Sequence, residues 1–437
     1  MNTHPSKGRS EQGTVLFVTL IATAIIGAAL AGYLRLVANQ NYSVARSQAW
    51  NRAIPVLEAG IEEALAQVAS GTSATSMTAN GWALSGTNYV KNRELGGGDR
   101  FTTRISANTP PVIESTGFVR IPLEDNEFVA RRVRVTTQGG SMFMKAMVAR
   151  GQINLNGNNI ATDSFDSANS LYSTNDRYDV TKRRDNGDVA TNSGLVNSLS
   201  VGNADIRGHI STGPGGSASI GPNGSVGNNA WVAGGNNGIQ TGYSSDDMNV
   251  SFPDVPAPFA VGLPPAPGNV GGTNYNFVLS SSDYSMSSFS LSGNANNRML
   301  VTGNARLYVT GNVSLSGSSS IVIAPGARLQ LYVAGASAAL GGNGVVNGSA
   351  SATNFSYYGL PSNTSVSFSG NAAFTGTIYA PNAALSLGGG GNNTYDFVGA
   401  SVSNTVQMNG HFNFHYDELL GRLNNGGGYT VVSWNEL

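Results

Sequence analysis

The sequence predicts a mainly β chain with one long N-terminal α-helix. A helix and a small antiparallel sheet precede a right-handed parallel β-helix, or β-solenoid. Three observations carry this prediction. An uncharged apolar run from Gln12 to Leu34 flows into a helix-periodic run that ends near Val68. Alternating apolar and polar runs follow between residues 100 and 137. From about residue 141, short β-prone runs are cut by Gly-Asn and Ser-Gly turns. Composition agrees: 57 of 437 residues are Gly and only 11% are charged, yet 40% are hydrophobic. That is a turn-rich, charge-poor chain that can still build a core.

The run Gln12–Leu34 is long enough, at 1.5 Å per residue, to cross a hydrocarbon layer of about 30 Å. Lys7 and Arg9 precede it and favour a cytoplasmic N-terminus. A secretory signal is the competing reading, with the small residues after Ala24 as its cleavage site. Beyond the apolar run, Ile54, Leu57, Ile61, Leu65 and Val68 recur at steps of three or four, with Glu58, Glu62 and Glu63 off that face. Pro55 is expected to kink this helix or to start a new segment of it.

The stretch "RSEQGTVLFVTLI", a short polar leader ending in Gly13 and followed at once by an apolar helix, resembles the type IV pilins and pseudopilins. It is most similar to PilX-type minor pilin-like proteins, over roughly residues 8–70 and more weakly to about 140. The resemblance implies a leader over 1–13, removed by a prepilin peptidase between Gly13 and Thr14, and a helix over 14–70 that stays in the inner membrane. It also implies other pilins or pseudopilins as partners. Major pilins carry Glu at the fifth mature position, where this chain has Val18. A buried carboxylate needs a partner charge, and its loss fits a minor, tip-located or non-polymerising member. Gly27, Ala28, Ala31 and Gly32, with Ala22, Ala24 and Ala29, would let neighbouring helices approach closely.

Residues 71–80, "GTSATSMTAN", read as a small-polar linker. "RFTTRIS", "PVIESTGFVRI" and "FVARRVRVTT" read as strands of a small sheet within 71–140, with Arg132 and Arg134 on a solvated face. Residues 141–437 are assigned to the solenoid. Asn residues are expected to ladder between its coils, and the Pro-rich run 251–268 to cross in extended form from one part to the next. "GTIYAPNAALSLGGGG" and "FVGASVSNTVQMNGHFNFHYDELL" resemble a domain of unknown function often joined to PilX-type N-termini in environmental bacteria. That adds architecture and no activity.

Chemistry is sparse. Net charge is −1, which gives no general pull toward nucleic acid. Cys is absent, which removes disulfides and thiol catalysis. His411, Asn413, His415 and Asp417 alternate and would share one strand face, so they could ligate zinc or form a polar cap over the last coil. Asp176, Asp179, Asp185 and Asp188, with Asp163 and Asp166 nearby, offer oxygen ligands for calcium. Lys182, Arg183 and Arg184 could pair with them instead. Acids are sparse in the solenoid, though Asp205 with His209, or Asp246 with Asp247, could form a pair for acid–base catalysis. Tyr357, Tyr358, Tyr379 and Phe374 could stack on sugar rings of a surface glycan.

The expectation is a membrane-anchored structural protein, not an enzyme, that needs no cofactor. Its extracytoplasmic body would serve a pilus or a type II secretion pseudopilus. A tethered carbohydrate-binding protein or polysaccharide-degrading enzyme is the alternative.

Overall fold

The computed structural model describes residues 12–70, 74–108, 110–122, 124, 126–157, 159–370, 373–389, 395–409, 412–423 and 429–437. The fold is mainly β with one long N-terminal helix, and it divides into two compact units. One holds the chain up to Gly139 and the C-terminal strand; the other holds the residues between.

In the first unit the helix Gln12–Ser70 runs on through Pro55 without a second segment starting there. From Val15 to Leu36 its side chains are exposed. From Ala45 onward one face closes: Ala49, Ala53, Leu57, Ile61, Ala64 and Val68 are buried. Ile54 and Leu65, expected on that face, sit at its margin. Glu63 leaves it to meet Lys91 at 2.7 Å and Arg93 at 3.2 Å.

The buried face lies on an antiparallel sheet containing Asn88–Glu94, Arg100–Ser106, Val112–Arg120 and Phe128–Gly139 in sequential order. Ile105, Ile113, Val133 and Val135 alternate inward to meet the helix, as a period of two requires. Arg132 and Arg134 point outward and share Glu114 across the strand pair.

Two expectations fail here. The supposed linker includes the helical turn Ala74–Ala79, and its Met77 is buried in the same core as Trp82. One large apolar side chain outweighs the small polar residues around it. The C-terminal residues also leave the supposed solenoid, because Tyr429–Glu436 pairs antiparallel with Phe128–Gly139 and completes this sheet. The second unit is thus an insertion between two hydrogen-bonded neighbours.

The last strand pairs at seven positions, and Arg131 donates to both carboxylate oxygens of Glu436 at 2.7 Å. Cross-strand pairs contribute about 0.2–1 kcal/mol each. Deleting residues 429–437 is therefore expected to cost this unit roughly 1–3 kcal/mol and about 5–15 °C of melting temperature. Differential scanning calorimetry checks this, with the second unit's transition unmoved.

The second unit is built mainly from parallel strands, with Ala266–Val270 and Thr273–Leu279 an antiparallel pair. Tyr284 pairs with Leu307, Leu307 with Leu331, Leu331 with Tyr357, Tyr357 with Ile378 and Ile378 with Ser401. The steps are 23, 24, 26, 21 and 23 residues, so each rung is about one turn of a parallel stack. The spacing varies because the corners differ in length while the strands keep register.

Inward positions form one core that includes Leu307, Leu331, Tyr357, Ile378 and Met147. Phe355, Phe374, Phe397 and Phe414 continue it as a run of rings, the last two stacked at 4.3 Å. At the corners main chain meets main chain. A Cβ on Gly335 would overlap the backbone of Gly311 in the next rung, so only glycine fits. Among the described residues the Asn side chains form no ladder of the kind expected. Asn363 Nδ2 donates to Gly335 O at 2.8 Å and Asn343 Nδ2 to Ser318 O at 3.0 Å, so these amides satisfy corner carbonyls in the adjacent rung.

Stacking order departs from chain order. Met147–Ala149 pairs on one side with Val189–Thr191 and on the other with Tyr395–Met408. The chain therefore enters mid-stack, winds outward to Ser245, returns to the far end and winds back. From Ser245 to Leu263 the return passes ten interstrand pairings. At about 4.8 Å each that is about 48 Å. Eighteen residues reach only about 27 Å as α-helix but about 56 Å as polyproline II. The Pro-rich composition meets that geometric demand. The extended crossing ends sooner than expected: Ala266–Val270 is an edge strand, where Pro267 costs no ladder bond.

Candidate functional site

On one outer face of the stack, strand alternation sets residues in columns. Asn304, Arg306 and Tyr308 point outward from one strand, and Arg328, Gln330 and Tyr332 from the next. Ser356 and Tyr358 continue the pattern, followed by Tyr379, which the crossing covers. Register puts Tyr308, Tyr332, Tyr358 and Tyr379 in one column, and Arg306, Gln330 and Ser356 in another. Tyr332 and Tyr358 stack at 4.7 Å.

The crossing Pro253–Pro258 runs beside the tyrosines and walls a groove of about 670 Å³. It is pinned there. Tyr379 Oη donates to Pro253 O at 2.8 Å, Arg150 Nη2 to Phe252 O at 2.5 Å, and Asn382 Nδ2 to Asp254 Oδ1 at 2.8 Å. A second cavity of about 390 Å³ shares Arg306, Arg328 and Gln330 and extends to Ser281, Ser282 and Asn304. Arg306 is held by Asp283 through two bonds of 2.6 and 2.5 Å. Arg328 is exposed and forms no ion pair among the described residues. Burial, reinforced by Tyr358, pushes the Tyr332 phenol up to about 12, so it remains a hydrogen-bond donor near neutral pH.

Of the four expected sugar-stacking rings, Tyr358 and Tyr379 line this groove. Tyr357 and Phe374 do not: both are buried in the core, and Tyr357 Oη donates to Asn363 Oδ1 at 3.0 Å. Tyr332, Arg328 and Gln330 were missed. Their signal lies in "ARLYVTG", "ARLQLYVAG", "FSYYGL" and "GTIYAPN", which place Tyr at one phase of successive strands.

The His411–Asp417 cluster resolves differently. His411 lies outside the described residues. Asn413, His415 and Asp417 do share the face opposite Phe412, Phe414 and Tyr416. That strand is not the end of the stack, because it pairs in parallel with Ala161–Phe165. His415 Nδ1 lies 2.5 Å from Asp163 Oδ1, and Nε2 lies 3.4 Å from Asp396 Oδ1. Tyr178 stacks on the imidazole at 3.6 Å and donates to Asp163 Oδ2 at 2.7 Å. Burial pulls the His415 pKa down, but the two carboxylates outweigh it and the net shift is upward. His415 in turn holds Asp396 below the usual carboxylate range. Asp417 is occupied separately, accepting from Ser167 N and Oγ and from Leu419 N. Among the described residues, His415 and Asp417 therefore do not converge as zinc ligands.

The calcium candidates also disperse. Asp179 accepts from Thr174 Oγ1, Thr181 N and Thr181 Oγ1. Asp185 accepts from Asn229 N, and Asp188 meets Lys145 at 2.9 Å and His209 N at 2.8 Å. Asp176 is exposed at a left-handed turn, φ 61°. Asp166 is paired with Arg422. Lys182 binds the carbonyls of Ser170 and Ser173, and Arg184 binds Glu418. Among the described residues no group of three or more His, Asp or Glu converges to hold a metal.

Asp205 and His209 do not form a pair either. Asp205 faces Arg207, and burial raises its pKa. The His209 ring stacks on Tyr243. Asp246 and Asp247 are both exposed.

In the helix, a Cβ on Gly27 or Gly32 would meet nothing, and Ala28 and Ala31 are exposed beside them. Its most apolar 18-residue stretch is wholly exposed, which makes it a candidate single membrane span or signal sequence. Thr19 and Thr23 return their hydroxyls to helix carbonyls. Gly13 and Thr14 lie at the start of the helix.

One family model matches. It is described as Domain of unknown function (DUF7305) and spans residues 279–423. That span begins where the returning chain starts to wind back. It includes Arg306, Arg328, Tyr332, Tyr358, Tyr379 and His415, but not the Pro-rich wall. No curated protein and no solved structure matches the chain.

Proposed function

We propose that the chain is a pilin-like, single-pass membrane component with a structural role. It presents a β-solenoid body outside the inner membrane, for a type IV pilus or a secretion pseudopilus. The observation that carries this reading is the helix. Half of it is apolar and fully exposed, and the other half is packed on an antiparallel sheet. No soluble protein gains by exposing such a run, whereas a bilayer or neighbouring pilin helices would cover it. The solenoid reading is supported by parallel pairings every 21 to 26 residues, and right-handedness by the strong bias of parallel crossovers. Val18 is exposed among other apolar side chains and offers no carboxylate to a neighbour's amine.

Co-expression with a prepilin peptidase tests the proposal. The mature membrane form is expected to begin at Thr14 and to fractionate with sheared filaments or with the inner membrane. An intact Met1 in the mature form overturns it. A tethered polysaccharide-degrading enzyme is the second reading, favoured by the groove. The groove's acids are Asp254, which is exposed, and Asp283, which is tied to Arg306. Turnover abolished by changing those two would favour the enzyme.

A further inference from the structure

We propose that the trough formed by the two connected cavities binds an extended acidic glycan, one whose sugars carry carboxylates. Three features converge. The first is repetition. Outward side chains from the strands carrying Asp283, Arg306, Gln330, Tyr358 and Tyr379 follow one another at the interstrand spacing. The trough therefore runs along the stack for four steps, about 19 Å. That step is close to the length one pyranose ring adds to an extended chain, so each rung can address one sugar.

The second feature is chemistry. Gln330, Asn304, Ser281 and Ser282 provide amides and hydroxyls for sugar hydroxyls. Tyr332 and Tyr358 provide ring edges and phenols, and apolar wall comes from Pro256 and Pro258. The third feature is charge. Arg306 is neutralised by Asp283, but Arg328 beside it is exposed and forms no ion pair among the described residues. A guanidinium presents a planar fork that a carboxylate matches with two hydrogen bonds. A neutral glycan would leave that cation unused.

The pinned crossing makes the site preformed. Its wall is held from Phe252 to Asp254 by Arg150, Tyr379 and Asn382, so little ordering is needed on binding. This inference rests on the pilin-like reading only for which side of the membrane the trough faces.

The test is isothermal titration calorimetry on the full chain in detergent micelles, with tetragalacturonate and with cellotetraose. Tetragalacturonate is expected to bind, and to bind more weakly as salt rises. Arg328→Gln, at an exposed and unpaired position, should fold normally by circular dichroism and weaken binding roughly tenfold to hundredfold, as for loss of a charged hydrogen bond. Gln330→Ala should give a smaller loss. The proposal is overturned by no binding of tetragalacturonate, by equal affinity for cellotetraose, or by unchanged affinity in Arg328→Gln. Leader processing plays no part in this assay, so its failure and the failure of the membrane reading are separately visible.

Discussion

A valine in place of Gly117 is expected to destabilise the antiparallel unit by about 3 kcal/mol or more while the parallel stack keeps its stability. Gly117 sits on the inner face of Val112–Arg120, directly under the helix. A Cβ there would lie 2.8 Å from both Ala53 O and Leu57 N. Overpacking usually costs about 1–3 kcal/mol because side chains can swing aside. Here the neighbours are helix main chain, so relief requires lifting the helix off the sheet. Lifting would expose Leu57, Ile61 and Phe101 together.

Gly60 makes the same contact from the other side, where a Cβ would fall on Thr103 Oγ1 and Ser115 Oγ. Alanine would gain about 1 kcal/mol in helix propensity at that position. Gly60→Ala is nevertheless expected to lower stability, which separates packing from propensity. Calorimetry of the full chain should show the first unit's transition falling by at least about 10 °C in Gly117→Val. A fall of under 2 °C would mean the helix is not seated as described.

What could be read in advance follows from how far each determinant reaches. The strands Arg100–Ser106, Val112–Arg120 and Phe128–Gly139 were legible because one face of each meets a single partner, so apolar residues alternate. The helix was legible for the same reason. "YTVVSWNE" reads as β-prone too, but nothing within it names Phe128–Gly139 as its partner across an insertion of nearly three hundred residues. The stack's strands were visible, whereas its winding order was not. Val148 pairs with Val402 because two distant runs dock, and neither carries a local mark of the other. Corner lengths that vary between rungs also blur the repeat that would have aligned Tyr308, Tyr332, Tyr358 and Tyr379. The groove's residues escaped for that reason, since a column appears only when the rungs are superposed.

The docking of those two runs carries the second large effect. His415 and Asp163 are register partners on the strand pair where the returning chain closes against the first rungs. Both are buried, and their bond of 2.5 Å is flanked by Tyr178 and Asp396. Arg207 lies within electrostatic reach of Asp163 and Tyr178. His415→Ala leaves the buried Asp163 carboxylate without its partner charge, with the Tyr178 hydroxyl still donating to it, and removal of one partner of such a pair costs about 3–5 kcal/mol. The amides of Phe412–Asp417 and Ala161–Phe165 should then exchange hydrogen faster by two orders of magnitude or more.

The same pair sets a pH dependence. Folded His415 holds its proton more tightly than an unfolded imidazole, so the stabilisation is complete below about pH 6.5. It is lost as pH rises through the raised folded pKa. Asp396 acts at the other end. Its folded pKa is lowered, so its contribution is present above the ordinary carboxylate range and is lost as pH falls through the folded value. Protection at this seam should therefore be greatest in mildly acid solution and decline toward pH 9. A neutral imidazole can still donate from Nδ1 to Asp163 but gives up its second donor toward Asp396, so the alkaline loss is smaller than that of His415→Ala. In His415→Gln, which cannot titrate, the alkaline decline should vanish. If wild type and His415→Gln decline in parallel, the titrating group lies elsewhere and the seam is held by its strand pairing alone.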